Sequence, residues 1–429
     1  MKKNIISIII LMILPAFFSI AGTMKGKVVL GDERYETYLP LLKDARIAVF
    51  SNSTGIVGDK IIGTEAGGRQ GKKIKDPGLV PFGENAYGEK LIYGQHIVDF
   101  LLSKKINVTA IFSPEHGFRG GADAGEKIKS SIDEKTGVPI LSLYGNGTNI
   151  PSREDMDKFD ILVIDIQDVG LRYYTYYITM YHLMDACAMY GKKIVLLDRP
   201  NPNGFYVDGP ILDMKYKSGI GLLPIPIVHG MTLGELALMI NGEKWLPKGR
   251  ECELTVIPCL DYTHKTKYSL IIAPSPNLKD MKSIYLYAST CFFEGTVVTP
   301  GRGTSFPFEV YGHPDMKGCN FSFTPESIPG AKDPRYKDTE CFGRDLRVKT
   351  NATICRKGIN MAYVIDAYNN LDMGDKFFKD GDHFELRTGN INVRKMIEEG
   401  KSPREIKASW KQELKKFKNE REKYLLYPE

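Results

Sequence analysis

Apolar residues along this chain come in short bursts, each stopped by a polar turn. Residues 45–50, 107–112, 139–143, 160–166, 193–197 and 223–228 are runs of five to seven residues rich in Val, Ile and Leu. Such runs are too short and too β-branched for helices and predict buried strands. Between them, residues 95–105 carry Ile97, Phe100 and Leu101 at helical spacing, and residues 176–190 read as a longer helix. Strands alternating with helices predict an α/β protein with a doubly wound, mostly parallel sheet. Residues 59–94, rich in Gly and Lys and without periodicity, are expected as a long inserted loop. From residue 262 the character changes. A strand is expected at 270–273, then loops dense in Gly, Pro and aromatic residues through 312–345. A closing helix is opened by Ser402, Pro403 and Glu405, with an apolar face of Ile406, Trp410, Leu414 and Phe417. The expected division is residues 22–261 as the sheet domain and 262–429 as a smaller C-terminal α/β domain.

The turns at the strand ends carry the chemistry. The run at 107–112 leads into Ser113-Pro114-Glu115-His116-Gly117-Phe118-Arg119-Gly120. The run ending at Ile166, which contains Asp165, leads into Gln167-Asp168-Val169-Gly170-Leu171-Arg172. The next ends in Asp198-Arg199-Pro200-Asn201, and the run at 223–228 in His229-Gly230-Met231-Thr232. Parallel strands point one way, so these turns are expected on one rim of the sheet, where open α/β folds place ligands. Further along, Asn277, Glu294, Arg302 and Thr304 sit in glycine- and proline-rich turns expected to face that rim.

The termini and overall charge narrow the setting. Lys2 and Lys3 precede an apolar run from Ile5 to Leu14, and Ser19-Ile20-Ala21 supplies small residues for cleavage. This predicts a removed export signal, residues 1–21, and a periplasmic or secreted protein without an integral membrane segment. The net charge of +6 is spread among charges of both signs, which argues against nucleic acid. Seven cysteines, none in a C-x-x-C pair, exclude zinc-ribbon and thioredoxin readings. Cys252 with Cys259 and Cys341 with Cys355 are the nearest candidates for pairing. The alternative is that the cysteines are small buried apolar residues.

Hydrolysis of a glycosidic bond needs one carboxyl that donates a proton and usually a second as nucleophile or base. Glu115 is the best acid candidate, with a salt bridge to Arg119 as its structural alternative. Asp168 and Glu294 are candidates for the second carboxyl. Asp165, within a strand, divides evenly between ligand binding and the ordering of neighbouring loops. Arg119, Arg172 and Arg302 suit a ligand carboxylate, because guanidinium matches it with two parallel hydrogen bonds. Tyr173, Tyr174 and Tyr176 offer an apolar face for a sugar ring. His116 and His229 are expected to orient or titrate. No spacing demands a metal, and Gly145-Asn146-Gly147 lacks the third glycine of a dinucleotide fingerprint, so neither metal nor cofactor is expected.

Five motifs in order resemble one bacterial family. They are Ser-Pro-Glu-His-Gly-Phe-Arg-Gly at 113–120, Asp-Ile-Gln-Asp-Val-Gly-Leu-Arg at 165–172 and Leu-Asp-Arg-Pro-Asn-Pro at 197–202. His-Gly-Met-Thr-Leu-Gly-Glu-Leu-Ala at 229–237 and Gly-Arg-Gly-Thr at 301–304 complete the set. The family was long known only as a domain of unknown function and is associated with exo-β-N-acetylmuramidases. The resemblance implies a Rossmann-like N-terminal domain, a smaller C-terminal domain and an active site in the cleft between them. It implies removal of terminal β-1,4-linked N-acetylmuramic acid from peptidoglycan-derived MurNAc-GlcNAc saccharides. Glu115 is then the acid/base, with Glu294 or Asp168 assisting. Arg302 and Arg172 hold the lactyl carboxylate, and His116, Arg119, Asp165, Gln167, Tyr174, Asn201, His229, Asn277 and Thr304 line the substrate. Two stretches depart from the pattern, the long 59–94 segment and Tyr216-Lys-Ser-Gly-Ile-Gly221. The alternatives are a non-catalytic muropeptide-binding protein and a dinucleotide-dependent glycosidase.

Overall fold

The computed structural model describes residues 28–62, 80–81, 92–114, 118–119, 131–143 and 150–429. A seven-stranded sheet is formed by β1 (Arg46–Ser51), β2 (Asn107–Ser113), β3 (Ser131–Ile132), β4 (Pro139–Ser142), β5 (Ile161–Asp165), β6 (Lys193–Leu197) and β7 (Glu253–Ile257). Its order is β7-β6-β5-β1-β2-β4-β3, parallel throughout except that β3 runs antiparallel to β4. Alternate residues of the same strands enter two different cores. Ala48, Phe50, Phe112, Leu162 and Ile164 pack beneath the helix Tyr176–Tyr190 on one face. Ile47, Val49, Ile111 and Val163 pack against Tyr38, Leu42, Ile97 and Leu101 from the helices Tyr35–Leu42 and Ile97–Ser103 on the other. Coverage on both faces is why these strands read as unbroken apolar runs.

From β1 the chain builds outward through β2 and β4, then crosses back to lay β5 on the other side of β1. The carboxyl end of β1 is therefore the topological switch point, where open α/β sheets leave a crevice. The helix after β5 stops at Gly191, whose φ of 65° closes it in the left-handed conformation that glycine adopts without a Cβ clash.

Three expectations about strands and loops are corrected. Residues 226–228 are extended but leave the sheet, pairing antiparallel with Asp208–Ile211 in a separate ribbon. The seventh strand is instead β7. Residues 270–273 form no regular strand, because Pro274 and Pro276 follow at once and remove ladder donors. Within 59–94, the ends Ile56–Ile62 and Ile92–His96 form a small antiparallel sheet with Val80–Pro81, while the intervening residues lie outside the described ones.

The C-terminal part is smaller. It holds the helix Met281–Thr290, an antiparallel sheet of Val310–His313, Cys341–Asp345 and Phe321–Phe323, and several short helices. Its last helix breaks at Trp410 into Pro403–Ser409 and Lys411–Arg421, and Ile406, Trp410, Leu414 and Phe417 are buried. All seven cysteines are free thiols, so neither proposed pair forms. Among the described residues no helix is long and apolar enough to cross a membrane. None of their His, Cys, Asp and Glu side chains form a group of three or more able to hold a metal ion.

Candidate active site

The loop leaving β5 carries three tyrosines across to the C-terminal part. Tyr174 and Tyr176 both donate through their hydroxyls to the carbonyl of Pro274, at 2.8 and 3.1 Å. Tyr173 donates to Tyr287 O at 3.0 Å. Asn52, in the turn after β1, donates from Nδ2 to the Tyr176 hydroxyl at 2.9 Å, which ties this bridge to the switch point. Between the tyrosines and the C-terminal part lies a cavity of about 170 Å³, with Ile220, Ser275, Asn277, Glu294, Arg302 and Phe308 among its lining.

Local sequence sets the far wall. The helix Met281–Thr290 opens on Asp280, which accepts the Ser283 amide at 2.8 Å, and it runs on into the 3-10 turn Cys291–Gly295. Gly295 has no Cβ because one would lie 2.6 Å from Phe384 Cα. That close approach brings in the helix His383–Thr388, and with it Arg387. Gly301 and Gly303 take φ of 82° and 84°, so the chain folds back and returns Arg302 onto Glu294. Arg302 Nε meets Glu294 Oε1 at 2.5 Å, and Arg387 Nη2 lies 3.6 Å from Oε2. The Arg302 guanidinium also sits 4.8 Å from the centroid of Phe308, itself held at φ 67°. Burial alone would raise the Glu294 pKa, but Arg302 and Arg387 outweigh it and hold the carboxyl below its usual range. Arg335 hydrogen-bonds the carbonyl of Thr296 and feels both Glu294 and Arg387. One carboxylate thus stands among three guanidinium groups.

Comparison with known proteins bears on this cavity. A family model described as "Exo-beta-N-acetylmuramidase NamZ, N-terminal" matches residues 89–282, and its C-terminal counterpart matches residues 285–427. The chain is 38% identical over 340 residues to the peptidoglycan beta-N-acetylmuramidase NamZ of Bacillus subtilis (strain 168), covering 75% of this chain and 80% of that protein. The chain belongs to the NamZ family. Two DUF1343 family proteins of Bacteroides fragilis NCTC 9343 share the fold. One has a TM-score of 0.81 and 56% identity, covering 94% of this chain and all of that one. The other has a TM-score of 0.70 and 25% identity, covering 93% and 99%.

Within this NamZ-family fold, the expected site residues separate sharply. Tyr174, Asn277, Glu294 and Arg302 line the cavity together. Thr304 stands behind it, donating to Gly301 O at 2.7 Å and shaping the glycine turn. Glu115 and His116 lie outside the described residues. The strand that leads to them, β2, ends beside β1 at the switch point.

The rest are tied into the scaffold, although Asp168 Oδ2, Arg172 Nε and His229 Nε2 find no hydrogen-bond partner among the described residues. Arg172 is fully buried: Nη1 donates to Pro210 O and Ile225 O, and Nη2 to Arg387 O at 3.0 Å, so it cannot hold a ligand carboxylate. Arg119 is held by Asp133 at 2.7 Å and Asp99 at 3.2 Å. Asp165 pairs with Arg199 at 2.6 Å, and Arg199 also takes Asp32 at 2.6 Å, a buried triad that joins three loops. Gln167 Nε2 donates to Asp168 O and Pro200 O. Asn201 bridges Met231 O and the Asn203 amide. His229 is buried, accepts the Met231 amide at Nδ1, and is depressed by burial to about 3, so it stays neutral. Asp168 accepts the Gly170 amide at 2.6 Å and does not line the cavity; burial pushes its carboxyl up to about 7.

Sequence patterns gave no sign of Arg387 and Arg335. Neither sits in a motif, and their neighbours along the chain are unremarkable; only the packing of the helix His383–Thr388 on Gly295 reveals Arg387.

Proposed function

We propose that the protein is an exo-acting β-N-acetylmuramidase, releasing terminal N-acetylmuramic acid from the non-reducing ends of peptidoglycan fragments. The observation that carries this reading is the charge of the cavity. Arg302 and Glu294 line a pocket walled by tyrosines, and Arg387 and Arg335, which act on Glu294 from outside the lining, leave this end of it with an excess of positive charge. A muramyl ring supplies a carboxylate on its lactyl group and an apolar ring face. A glucosaminyl ring supplies only the face.

Arg302 takes the lactyl carboxylate, while Arg387 remains to hold Glu294. Glu115 donates a proton to the glycosidic oxygen as the C1–O bond breaks, and water supplies the hydroxyl that ends on C1. Glu294, kept ionised by its arginines, faces the developing positive charge of the sugar. Asp168, buried away from the cavity, is not given that role. The reading retains a division near residue 261, with Asn277, Glu294 and Arg302 brought to the cleft by the C-terminal side. It also retains export, cleavage near Ala21 and a periplasmic or secreted setting, supported by the Lys-led apolar N-terminus.

The test is release of chromophore from an aryl β-N-acetylmuramide beside the matching N-acetylglucosaminide. Turnover of the muramide alone is expected, with Glu115→Gln abolishing it while binding persists. Equal turnover of both sugars would refute recognition of the lactyl group, and near-normal turnover by Glu115→Gln would remove that residue from the mechanism.

A further inference from the structure

A second depression, of about 410 Å³, opens on the C-terminal part and shares no lining residue with the candidate active site. Its wall residue Tyr311 stacks on Phe293, the neighbour of Glu294, with ring centroids 4.6 Å apart. Gly343 and Ala362 are the small residues of its lining. A Cβ on Gly343 would run into the backbone of Tyr311 and Gly312, so the small residue is imposed by the strand packing. Phe321 is the half-buried aromatic of its lining, while Tyr311 and Tyr363 are buried beneath it.

Its polar groups are oriented before any ligand arrives. Arg344 meets Asp366 through two parallel bonds, Nε to Oδ2 and Nη2 to Oδ1, each 3.1 Å. The Tyr311 hydroxyl donates to Asp366 Oδ2 at 2.7 Å, which fixes the carboxylate plane. Both partners of the pair are still about one-third exposed. Asp345 is taken by Arg347 at 2.9 Å. Lys349 lies 6.0 Å from the Tyr363 ring centroid and has no ion pair among the described residues. A strut between strand and helix would account for Arg344 and Asp366, but not for the open space or the surplus ammonium group.

We propose that this depression is a second, non-catalytic site for an acidic saccharide, one that retains the enzyme on the polymer it trims. The proposal rests on the glycosidase reading above. Sugar rings pair an apolar face with coplanar hydroxyls, which Phe321 and the planar Arg344–Asp366 pair match. Lys349 is placed for a lactyl or peptide carboxylate.

The test uses the full mature protein with Lys349→Glu and, separately, Asp366→Asn. Each is assayed for aryl muramide turnover and for co-sedimentation with purified peptidoglycan sacculi. The expected result is unchanged turnover of the small substrate and retention on sacculi weakened about tenfold, the size of one lost charge-assisted contact. Retention equal to wild type in both variants overturns the proposal, as does a wild type that is not retained at all. A wild type that binds sacculi through these residues yet leaves the aryl muramide intact would overturn the proposed function instead.

Discussion

Arg199 offers the sharpest test of how the sheet rim is held. It is 6% exposed and lies between Asp165 at the end of β5 and Asp32 in the turn before the first helix, both fully buried, at 2.6 Å to each. Burial alone would lower its pKa, but the two aspartates outweigh it and hold the guanidinium above its ordinary value. Arg199→Met keeps much of the volume and strands two carboxylates in the interior. Removing one partner of a buried ion pair costs about 3–5 kcal/mol, and two short bonds with no solvent access place this change in the upper half of that range. For a chain of this size that corresponds to a fall in Tm of about 5 °C. A control is at hand in Arg46–Asp160, equally short at 2.7 Å but with both side chains 46% exposed. Arg46→Met should cost far less, because water screens that pair before and after. Adding Asp165→Asn to Arg199→Met should recover part of the loss by removing one stranded charge. The assay is urea unfolding of the single, double and control variants at pH 7. Equal losses for Arg199→Met and Arg46→Met, or no recovery in the double variant, would refute burial as the source of the effect.

Arg302→Leu should lower kcat/KM for an aryl muramide about a hundredfold, as expected for loss of a charge-assisted contact to the lactyl group; a kcat/KM close to wild type would argue against that contact. Tyr176→Phe removes the hydroxyl that links Asn52 to Pro274 and should cost about 1–3 kcal/mol in denaturant unfolding, since it leaves buried partners unmet. His96, buried with Nε2 donating to Asn52 O at 2.9 Å, is depressed by burial to about 4. The unfolded chain takes up that proton near pH 6.5, so the wild type should lose about 2 kcal/mol relative to His96→Gln between pH 7 and pH 5; a constant gap would contradict a neutral buried imidazole.

The sheet was legible because its strands are buried on both faces. β1, β2, β4, β5 and β6 each read as an apolar burst ended by a turn, and their bounds fall within a residue or two of those expected. β7 escaped notice because an edge strand alternates. Glu253, Leu254, Thr255 and Val256 are all at least partly exposed, and only Ile257 is buried. The apolar run at 270–273 misled for the opposite reason. Leu270 is buried and Ile271 and Ile272 line a small cavity beside Gln167 and Arg199, so the residues seal a loop without joining a ladder.

The same physics explains why the site was only half legible. Loops at a sheet rim carry carbonyls and amides that no ladder satisfies, and a buried one must find a partner inside the protein. The residue types that capture a ligand are the ones that do this work. Arg172 therefore spends two nitrogens on three carbonyls, and Gln167 and Asn201 each tie down neighbouring turns. Glu294 and Arg302 are different in kind. Their charges are paired at the wall of a cavity, with Arg387 reaching the same carboxylate from outside the lining, so the arginines on Glu294 outnumber it. Composition of a turn cannot separate the two cases, but surplus charge can. Where a rim carboxylate meets its cation inside the fold, as Asp165 meets Arg199, the fold accounts for the pair; where a charge is left over beside open space, a ligand of opposite sign is the partner the chain was built to meet.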